Sequence, residues 1–493
     1  MTNDGHKQKS TRMASPDALA LPHVIETIAT CLSNQEDFTS FLHAVPRSLW
    51  TPALTAFLDC SSTTSPSVIA NWPRIELRTM DLPPLLLALL AATLPLRPRI
   101  ELQFAVRDAA SLASLVAVVG PALNIVTLQF HRGCMVRGGG RMISSLFLQR
   151  CPRLRHVAIA VDPYTENEAV EVNDLLTVVA HPHVHESSLS LFNLQRATTV
   201  PRLGHLLASW LSTAPATKLR LANVAQMDHD GVIAFCKALQ ANTTLQELAI
   251  SHVRSLGGFH GRTLPVSLKT LTWNVRLNGA VDDATMTDLA TAVGRTQLER
   301  LECSVFGQLA TCPASASMLS QLQCLSVSWS HADHMPAMIA GLSSVPALTS
   351  LTARHCSLST SMELFMRTLA TTCVHLESLS VGDKDLTRDG AIAVLSGVLQ
   401  LPHLTTLSLW MPPRCALHVL PELIAAGRHL RRLSLMAIGR DNYKMEKRAI
   451  YLALALTHDV PFVVDTLPKD MDKFVVDALS PRADRCHKCD LDF

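Results

Sequence analysis

The motif L-x-x-L-x-L returns eight times at nearly constant spacing, and this repetition constrains the fold more than any other feature of the sequence. The copies are LQELAI (245–250), LKTLTW (268–273), LERLEC (298–303), LQCLSV (322–327), LTSLTA (348–353), LESLSV (376–381), LTTLSL (404–409) and LRRLSL (430–435). They begin 23 to 30 residues apart, close to the period of about 20 to 29 residues that is typical of one class of repeat protein. Weaker copies extend the array back to RIELR (74–78), which gives about fourteen units.

Each unit predicts a short strand followed by a helix. The motif alternates apolar and polar residues, as a half-buried strand does. In the stretch DHDGVIAFCKALQ, the side chains of Val232, Ile233, Cys236 and Leu239 fall on one helical face. A single strand and helix cannot bury their apolar sides alone, whereas stacked repeats can. The spacing therefore predicts an α/β solenoid with a parallel sheet.

These motifs and their period resemble the leucine-rich repeats of the ribonuclease-inhibitor-like type. The resemblance covers about residues 72–465 and implies a horseshoe with a concave parallel sheet and convex helices. It also implies a protein-binding scaffold without catalysis. Residues 466–493 are predicted to form a C-terminal cap and tail.

The segment before the repeats has a different pattern. It divides into a polar tail predicted to be disordered (1–17), a small helical module (18–59) and a Ser/Thr/Pro-rich linker (60–71). The Leu-Pro pair, the spaced apolar residues and a second apolar helix resemble the F-box, which docks on the Skp-type adaptor of cullin-based ubiquitin ligases. The resemblance implies adaptor contacts by Leu21, Pro22, Ile25, Ile28, Leu32, Phe41, Leu42 and Val45. The alternative is an N-terminal cap over the core of the first repeat.

Composition excludes several classes of function. Charged residues make up 17% and the net charge is +2, so neither global disorder nor an electrostatic nucleic-acid footprint is expected. The longest apolar run, Leu85–Leu94, has 10 residues between prolines, and a membrane-spanning helix needs about 20. The 13 cysteines sit mostly singly in apolar segments, which favours a reducing compartment. We therefore expect a cytoplasmic or nuclear protein, with no membrane or nucleic-acid partner.

The short motifs that carry chemistry elsewhere are incomplete here, so we predict no catalytic residues, no metal site and no cofactor. Cys486-x-x-Cys489 has no second ligand pair for zinc. The histidines at 181, 183 and 185 are read as a polar loop at a repeat edge. The run Gly138-Gly139-Gly140 lacks the Gly-Lys-Ser/Thr ending of a phosphate loop, and Asp383-x-Asp385 lacks the ligands of a calcium loop.

The repeat register predicts which strand residues face away from the helices. In L-x-x-L-x-L-x, the third, fifth and seventh residues lie on that face, among them Arg74, Glu76 and Arg78 in the first copy. Arginine and tryptophan dominate binding interfaces. The target-binding residues predicted on this basis are Arg354, Trp410, Arg432, Met436 and Phe192.

Together these patterns predict the substrate-recognition subunit of a cullin-type ubiquitin ligase, which would hold a target protein on its repeats and an adaptor on its N-terminal module. The alternative is a leucine-rich-repeat scaffold or inhibitor with no role in ubiquitin transfer. A repeat protein that activates a GTPase through an arginine finger is a third possibility, although no arginine stands out.

Overall fold

The computed structural model describes residues 22–463, apart from 64–65, 132–133, 135–137, 162–168, 192–199, 201, 225–226, 275–280, 329–331, 384, 438–449, 451–452, 454–456 and 458–461. The chain forms two compact units, Met1–Asn193 and Leu194–Phe493. Among the described residues, no helix is both long and apolar enough to cross a membrane.

The first unit consists of a helical module followed by strands that alternate with helices. Its elements are α1 (Pro22–Cys31), α2 (Gln35–Ala44), α3 (Pro52–Ser62), β1 (Val68–Asn71), β2 (Arg74–Leu77), α4 (Pro84–Thr93), β3 (Arg99–Val106), α5 (Ala109–Val119), β4 (Leu123–Phe130), α6 (Gly139–Arg150), β5 (His156–Val161), α7 (Ala169–Leu175) and β6 (Glu186–Leu191). Strands β2 to β6 pair in chain order and in parallel, whereas β1 pairs with β2 antiparallel.

The second unit repeats the strand and helix pattern. Its elements are α8 (Leu203–Thr213), β7 (Lys218–Ala222), α9 (His229–Ala241), β8 (Glu247–Ser251), β9 (Thr270–Asn274), α10 (Asp283–Val293), β10 (Arg300–Cys303), α11 (Phe306–Thr311), α12 (Ala316–Leu319), β11 (Cys324–Ser328), α13 (Met335–Gly341), β12 (Ser350–Arg354), α14 (Met362–Thr372), β13 (Ser378–Gly382), α15 (Arg388–Val398), β14 (Thr406–Met411), α16 (Pro413–His418), α17 (Leu420–Gly427), β15 (Arg432–Ala437) and β16 (Phe462–Val463). Strands β7 to β16 pair in chain order and in parallel.

The motif leucines align across the parallel strands, so the chain is a leucine-rich-repeat solenoid as predicted. Leu351 pairs with Leu379, which pairs with Leu407, and all three are buried. Within β14 the residues alternate strictly between half-buried and buried. Because successive side chains of a strand point to opposite faces, one face carries the core and the other is left open. We call the second one the open strand face.

Helix α9 buries the face that the sequence predicts, except that Phe235 is buried where Ile233 was expected. In α9, Val232, Phe235, Cys236 and Leu239 are buried. The prediction that Ile233 belongs to this face is wrong, because its side chain is 39% exposed. Phe235 takes the place because it lies three residues after Val232, at the spacing of one helical face.

A buried asparagine joins neighbouring repeats at the end of α9. The Asn242 side chain donates to the carbonyl oxygen of Leu211 (2.8 Å) and accepts from the backbone N–H groups of Thr244 (2.9 Å) and Leu245 (2.8 Å). The Thr244 hydroxyl donates to the carbonyl oxygen of Ala216 at 2.8 Å. These bonds satisfy polar backbone groups that would otherwise be buried without a partner.

The N-terminal module has a third helix, which runs past the predicted end of the module at residue 59 into the predicted linker. Helix α3 continues to Ser62, and Val68–Asn71 forms strand β1. The prediction of a linker over 60–71 is therefore wrong at both ends. Pro52 at the first turn and the Thr51 side chain, which accepts from the N–H of Leu54 at 3.3 Å, start α3.

Trp72 packs against this module and bonds to it at the start of the first strands. Its ring stacks on Phe38 (centroids 4.3 Å apart) and meets the edge of Phe57 at 5.2 Å. The indole N–H donates to the carbonyl oxygen of Leu32 at 2.9 Å, and the backbone N–H of Trp72 bonds to the side chain of Gln35. All three rings are almost fully buried, so the module packs on the first strands of the unit.

Candidate functional site

Two of the predicted target-binding residues meet at the carboxyl ends of β12 to β14. Arg354 is the last residue of β12, and it pairs with Gly382 of β13, which pairs with Trp410 of β14. The guanidinium carbon of Arg354 lies 4.2 Å from the centroid of the Trp410 ring. A cation over an indole face is the strongest of the common cation–π arrangements.

Gly382 makes this contact possible. Arg354 and Trp410 pair with Gly382 from its two sides, so their backbones are two strand spacings apart, about 10 Å. Because glycine has no side chain, the space between them is free. Its φ is 144°, and a Cβ at this position would lie 1.9 Å from the carbonyl oxygen of Trp410. Because an L side chain fits neither this φ nor this space, only glycine can occupy the position without rearrangement.

Further polar groups hold the arginine and surround the indole. The Arg354 Nε donates to the Ser380 hydroxyl at 3.0 Å. The His355 ring meets the Trp410 ring edge-on with centroids 5.9 Å apart. The buried Asp383 carboxylate accepts from the Ser357 N–H at 2.9 Å and lies 3.9 Å from His355 Nδ1. We call Arg354, His355, Asp383 and Trp410 the Trp410 cluster.

The indole N–H of the half-buried Trp410 is itself shielded from solvent. This atom has no hydrogen-bond partner within the described part of the chain. A buried donor without a partner costs about 1 to 3 kcal/mol.

The other predicted target-binding residues do not join the cluster. Arg432 is the first residue of β15, whereas Met436, four residues later, is the one that pairs with Trp410. Four strand residues span about 13 Å, so Arg432 lies at the other end of its strand from the Trp410 cluster, and its part in target binding stays a prediction. Phe192 and the Met436 side chain lie outside the described residues.

Some of the residues predicted to contact an adaptor are buried, and others are accessible to solvent. Ile25 (2% exposed) and Leu42 (4% exposed) lie inside the helical module, so their prediction as adaptor contacts is wrong. Ile28, Leu32, Phe41 and Val45 are half-buried, and Pro22 is exposed. Leu21 lies outside the described residues.

The backbone N–H groups of the glycine run 138–140 bind an anion, which is the carboxylate of Glu171 in the same chain. Both oxygens of the Glu171 carboxylate accept from this turn, one from Gly138 N–H at 2.6 Å and the other from Gly140 N–H at 3.0 Å. Glu171 is 7% exposed. The start of α6 is thus occupied by a side chain of α7, which excludes a phosphate there without displacement.

The described histidines and cysteines offer little chemistry. No group of three or more metal-binding side chains occurs in the described ranges. Burial lowers the pKa of His181, and neighbouring His183 lowers it further. Burial raises the pKa of Cys151 and Cys236 to about 12. These thiols therefore stay protonated near neutral pH and are poor nucleophiles.

Charged side chains at the first strands pair with each other. Arg78 lies 2.7 Å and Arg74 3.3 Å from the Glu76 carboxylate, and Arg74 also contacts Glu101 at 2.5 Å. Although the repeat register places Glu76 on the face away from the helices, it is only 7% exposed, and both arginines contact its carboxylate. Burial raises the pKa of Glu101, and Arg74 opposes that shift.

The sequence pattern does not single out Gly382 or His355, and it indicates Asp383 only as part of an incomplete calcium loop. Gly382 carries a usable signal, because it occupies the seventh motif position, where neighbouring repeats place Arg354 and Trp410. His355 and Asp383 follow the strand ends, where the repeat pattern makes no assignment.

Comparison with known proteins gives no family. No model of a known protein family matches this chain, and no curated protein does. Among solved structures, one match is described as "Crystal structure of Rad7 and Elc1 complex in yeast". It is 16% identical, covers 68% of this chain and 87% of that chain, and has a TM-score of 0.32. A likeness of this size carries no argument.

Proposed function

We propose that this chain is a protein-binding receptor whose target sits on the open strand face at the Trp410 cluster. The observation that carries the proposal is the stacking of Arg354 on Trp410 across Gly382. Arginine and tryptophan are both enriched among interface hot spots. We assign no catalytic step to the chain, and we place its action in the cytoplasm or nucleus.

Replacing Trp410 tests this proposal. We expect Trp410→Ala to weaken target binding by about 2 kcal/mol, roughly thirtyfold, because the aromatic anchor is removed. Proximity labelling in cells, with wild type and variant compared, measures the loss of labelled partners. Arg354→Ala should act in the same direction.

Arg300→Ala is the matched control. Arg300 also lies on the open strand face, but at the amino end of β10, and it is exposed. Its replacement should leave labelling unchanged. Equal labelling of every partner by wild type and by a folded Trp410→Ala protein would show that the cluster is not the binding site.

We further propose that the N-terminal module recruits a Skp-type adaptor and, through it, a cullin complex, which would make the chain the substrate-recognition subunit of a ubiquitin ligase. The partly exposed Ile28, Leu32, Phe41 and Val45 support this proposal. The packing of Trp72 against Phe38 and Phe57 supports the alternative, a cap on a scaffold or inhibitor with no ubiquitin role.

An adaptor pulldown separates these two functions. We expect Ile28→Lys combined with Leu32→Lys to abolish co-precipitation, because charges replace the apolar contact surface. Thr30→Lys, at an exposed position of the same helix, should leave co-precipitation intact. A wild-type chain that captures no adaptor would eliminate the ligase function. The cap alternative instead forecasts a lower thermal unfolding midpoint, since each half-buried side chain would become an unpaired charge.

A further inference from the structure

A basic cavity lies in the first unit, at the end of the sheet where strands β3 to β6 begin. Its volume is about 500 Å³, and it is lined by four arginines, Arg97, Arg99, Arg153 and Arg155, and by the imidazoles of His183 and His185. No carboxylate is found among the described residues that line it. We call this feature the basic cavity.

The arginines converge because the repeats place them in matching connections. Arg97 and Arg99 flank the start of β3, Arg153 and Arg155 come just before β5, and His183 and His185 come just before β6. The four strands β3 to β6 cover three spacings, about 14 Å. The basic residues therefore surround one concave site instead of spreading along the sheet.

Backbone bonds hold this rim in place. The Asn124 side chain donates to the carbonyl oxygen of Arg153 at 3.2 Å, and the N–H of Arg155 donates to the carbonyl oxygen of Asn124 at 2.9 Å. The N–H of His185 in turn donates to the carbonyl oxygen of Arg155 at 2.8 Å. Because the chain on either side of the cavity is tied together, little ordering would be needed on binding.

The four guanidinium groups have no carboxylate partner among the described residues. Arg97, Arg99, Arg153 and Arg155 form no ion pair with any residue that the structure describes. This contrasts with the neighbouring Arg74, which contacts Glu76 and Glu101. Four like charges around one cavity repel each other and favour an anionic ligand.

We propose that the basic cavity binds a small molecule that carries two or more phosphate groups. The planar guanidinium matches phosphate oxygens with paired hydrogen bonds. The volume lies in the usual range of ligand sites, about 300 to 1,000 Å³, and one inorganic phosphate would fill only part of it. The site is separate from the Trp410 cluster, so the proposal does not depend on the proposed function.

Calorimetric titration of the full chain with inorganic tripolyphosphate tests this proposal. We expect one binding site per chain, with sulfate at least about a hundredfold weaker because it carries a single, less charged group. Each arginine that contacts the ligand contributes about tenfold. Arg153→Gln combined with Arg155→Gln should therefore reduce affinity about a hundredfold. Arg155→Lys, which keeps the charge but loses the fork geometry, should cost less than removal of the charge, about threefold.

Arg295→Gln is the matched control, because Arg295 is exposed and lies after α10, outside the cavity. It should bind tripolyphosphate as wild type does. Thermal unfolding checks that the variants fold, since all but the half-buried Arg153 are exposed. Absent tripolyphosphate binding, unchanged affinity in the double variant, or equal affinity for sulfate would each overturn the proposal. So would a doubly phosphorylated peptide that binds the cavity while tripolyphosphate does not.

Discussion

Trp72→Ala is expected to lower the free energy of unfolding by about 3 to 5 kcal/mol, as for other large aromatic residues removed from a core. Trp72 is 3% exposed and contacts Phe38 and Phe57, which lie on two different helices. The substitution leaves a cavity between the helical module and the first strands, and removes the hydrogen bond to Leu32. Urea denaturation measures the loss, and hydrogen exchange should locate it in α1 to α3.

Trp50→Ala is the matched control for this prediction. Trp50 is half-buried, its indole N–H reaches the Val45 carbonyl oxygen at a long 3.3 Å, and the Arg47 guanidinium lies 5.6 Å from its ring. Its loss should cost about 1 kcal/mol or less. If Trp72→Ala were no more destabilising than Trp50→Ala, the module would not be fastened through Trp72.

Glu171→Ala is expected to destabilise the first unit by about 3 kcal/mol, because two N–H groups at the start of α6 lose a charged acceptor. The Gly140 N–H is buried, and water cannot readily replace the carboxylate there. Thermal unfolding of the purified chain, followed by circular dichroism, measures the effect. Glu171→Gln keeps one acceptor oxygen and should recover part of the loss.

Glu363→Ala serves as the comparison for the loss of a carboxylate. The side chain of Glu363 is 80% exposed and pairs with Arg367 one helical turn away, and such pairs contribute about 0.3 to 0.5 kcal/mol. A Glu171→Ala protein that unfolds at the same temperature as Glu363→Ala would mean that the glycine turn needs no anion.

Local periodicity was enough to predict the repeats, because each motif places its own leucines on one face of a strand. Leu379 and Leu407 are buried for that reason. The same reasoning missed α3, whose end lies in a Ser/Thr-rich run typical of linkers. It also missed the antiparallel strand β1, which departs from the repeat by pairing as a hairpin with β2.

Contacts between repeats were beyond the reach of periodicity. Glu171 and Gly138 are 33 residues apart, and nothing in either segment indicates the other. Strand alternation placed Arg354, Trp410 and Arg432 on one face, but alternation by itself does not separate the third motif position, where Arg432 lies, from the seventh, where Arg354 and Trp410 lie. That is why Arg432 was grouped with residues at the opposite end of β15. The basic cavity was missed for a related reason, since its arginines come from separate connections that only the stacked repeats bring together.

The hydrogen bonds of Asn242 and Thr244 have a consequence for how the second unit comes apart. Both side chains donate hydrogen bonds to carbonyl oxygens of the preceding repeat, at Leu211 and Ala216. When one of these repeats unfolds, the polar groups of the other therefore lose their hydrogen-bond partners. In a linear array of coupled repeats, strong coupling between neighbours suppresses partly open forms. We therefore expect α8, β7, α9 and β8 to unfold as one cooperative block, with the same free energy of opening in native-state hydrogen exchange.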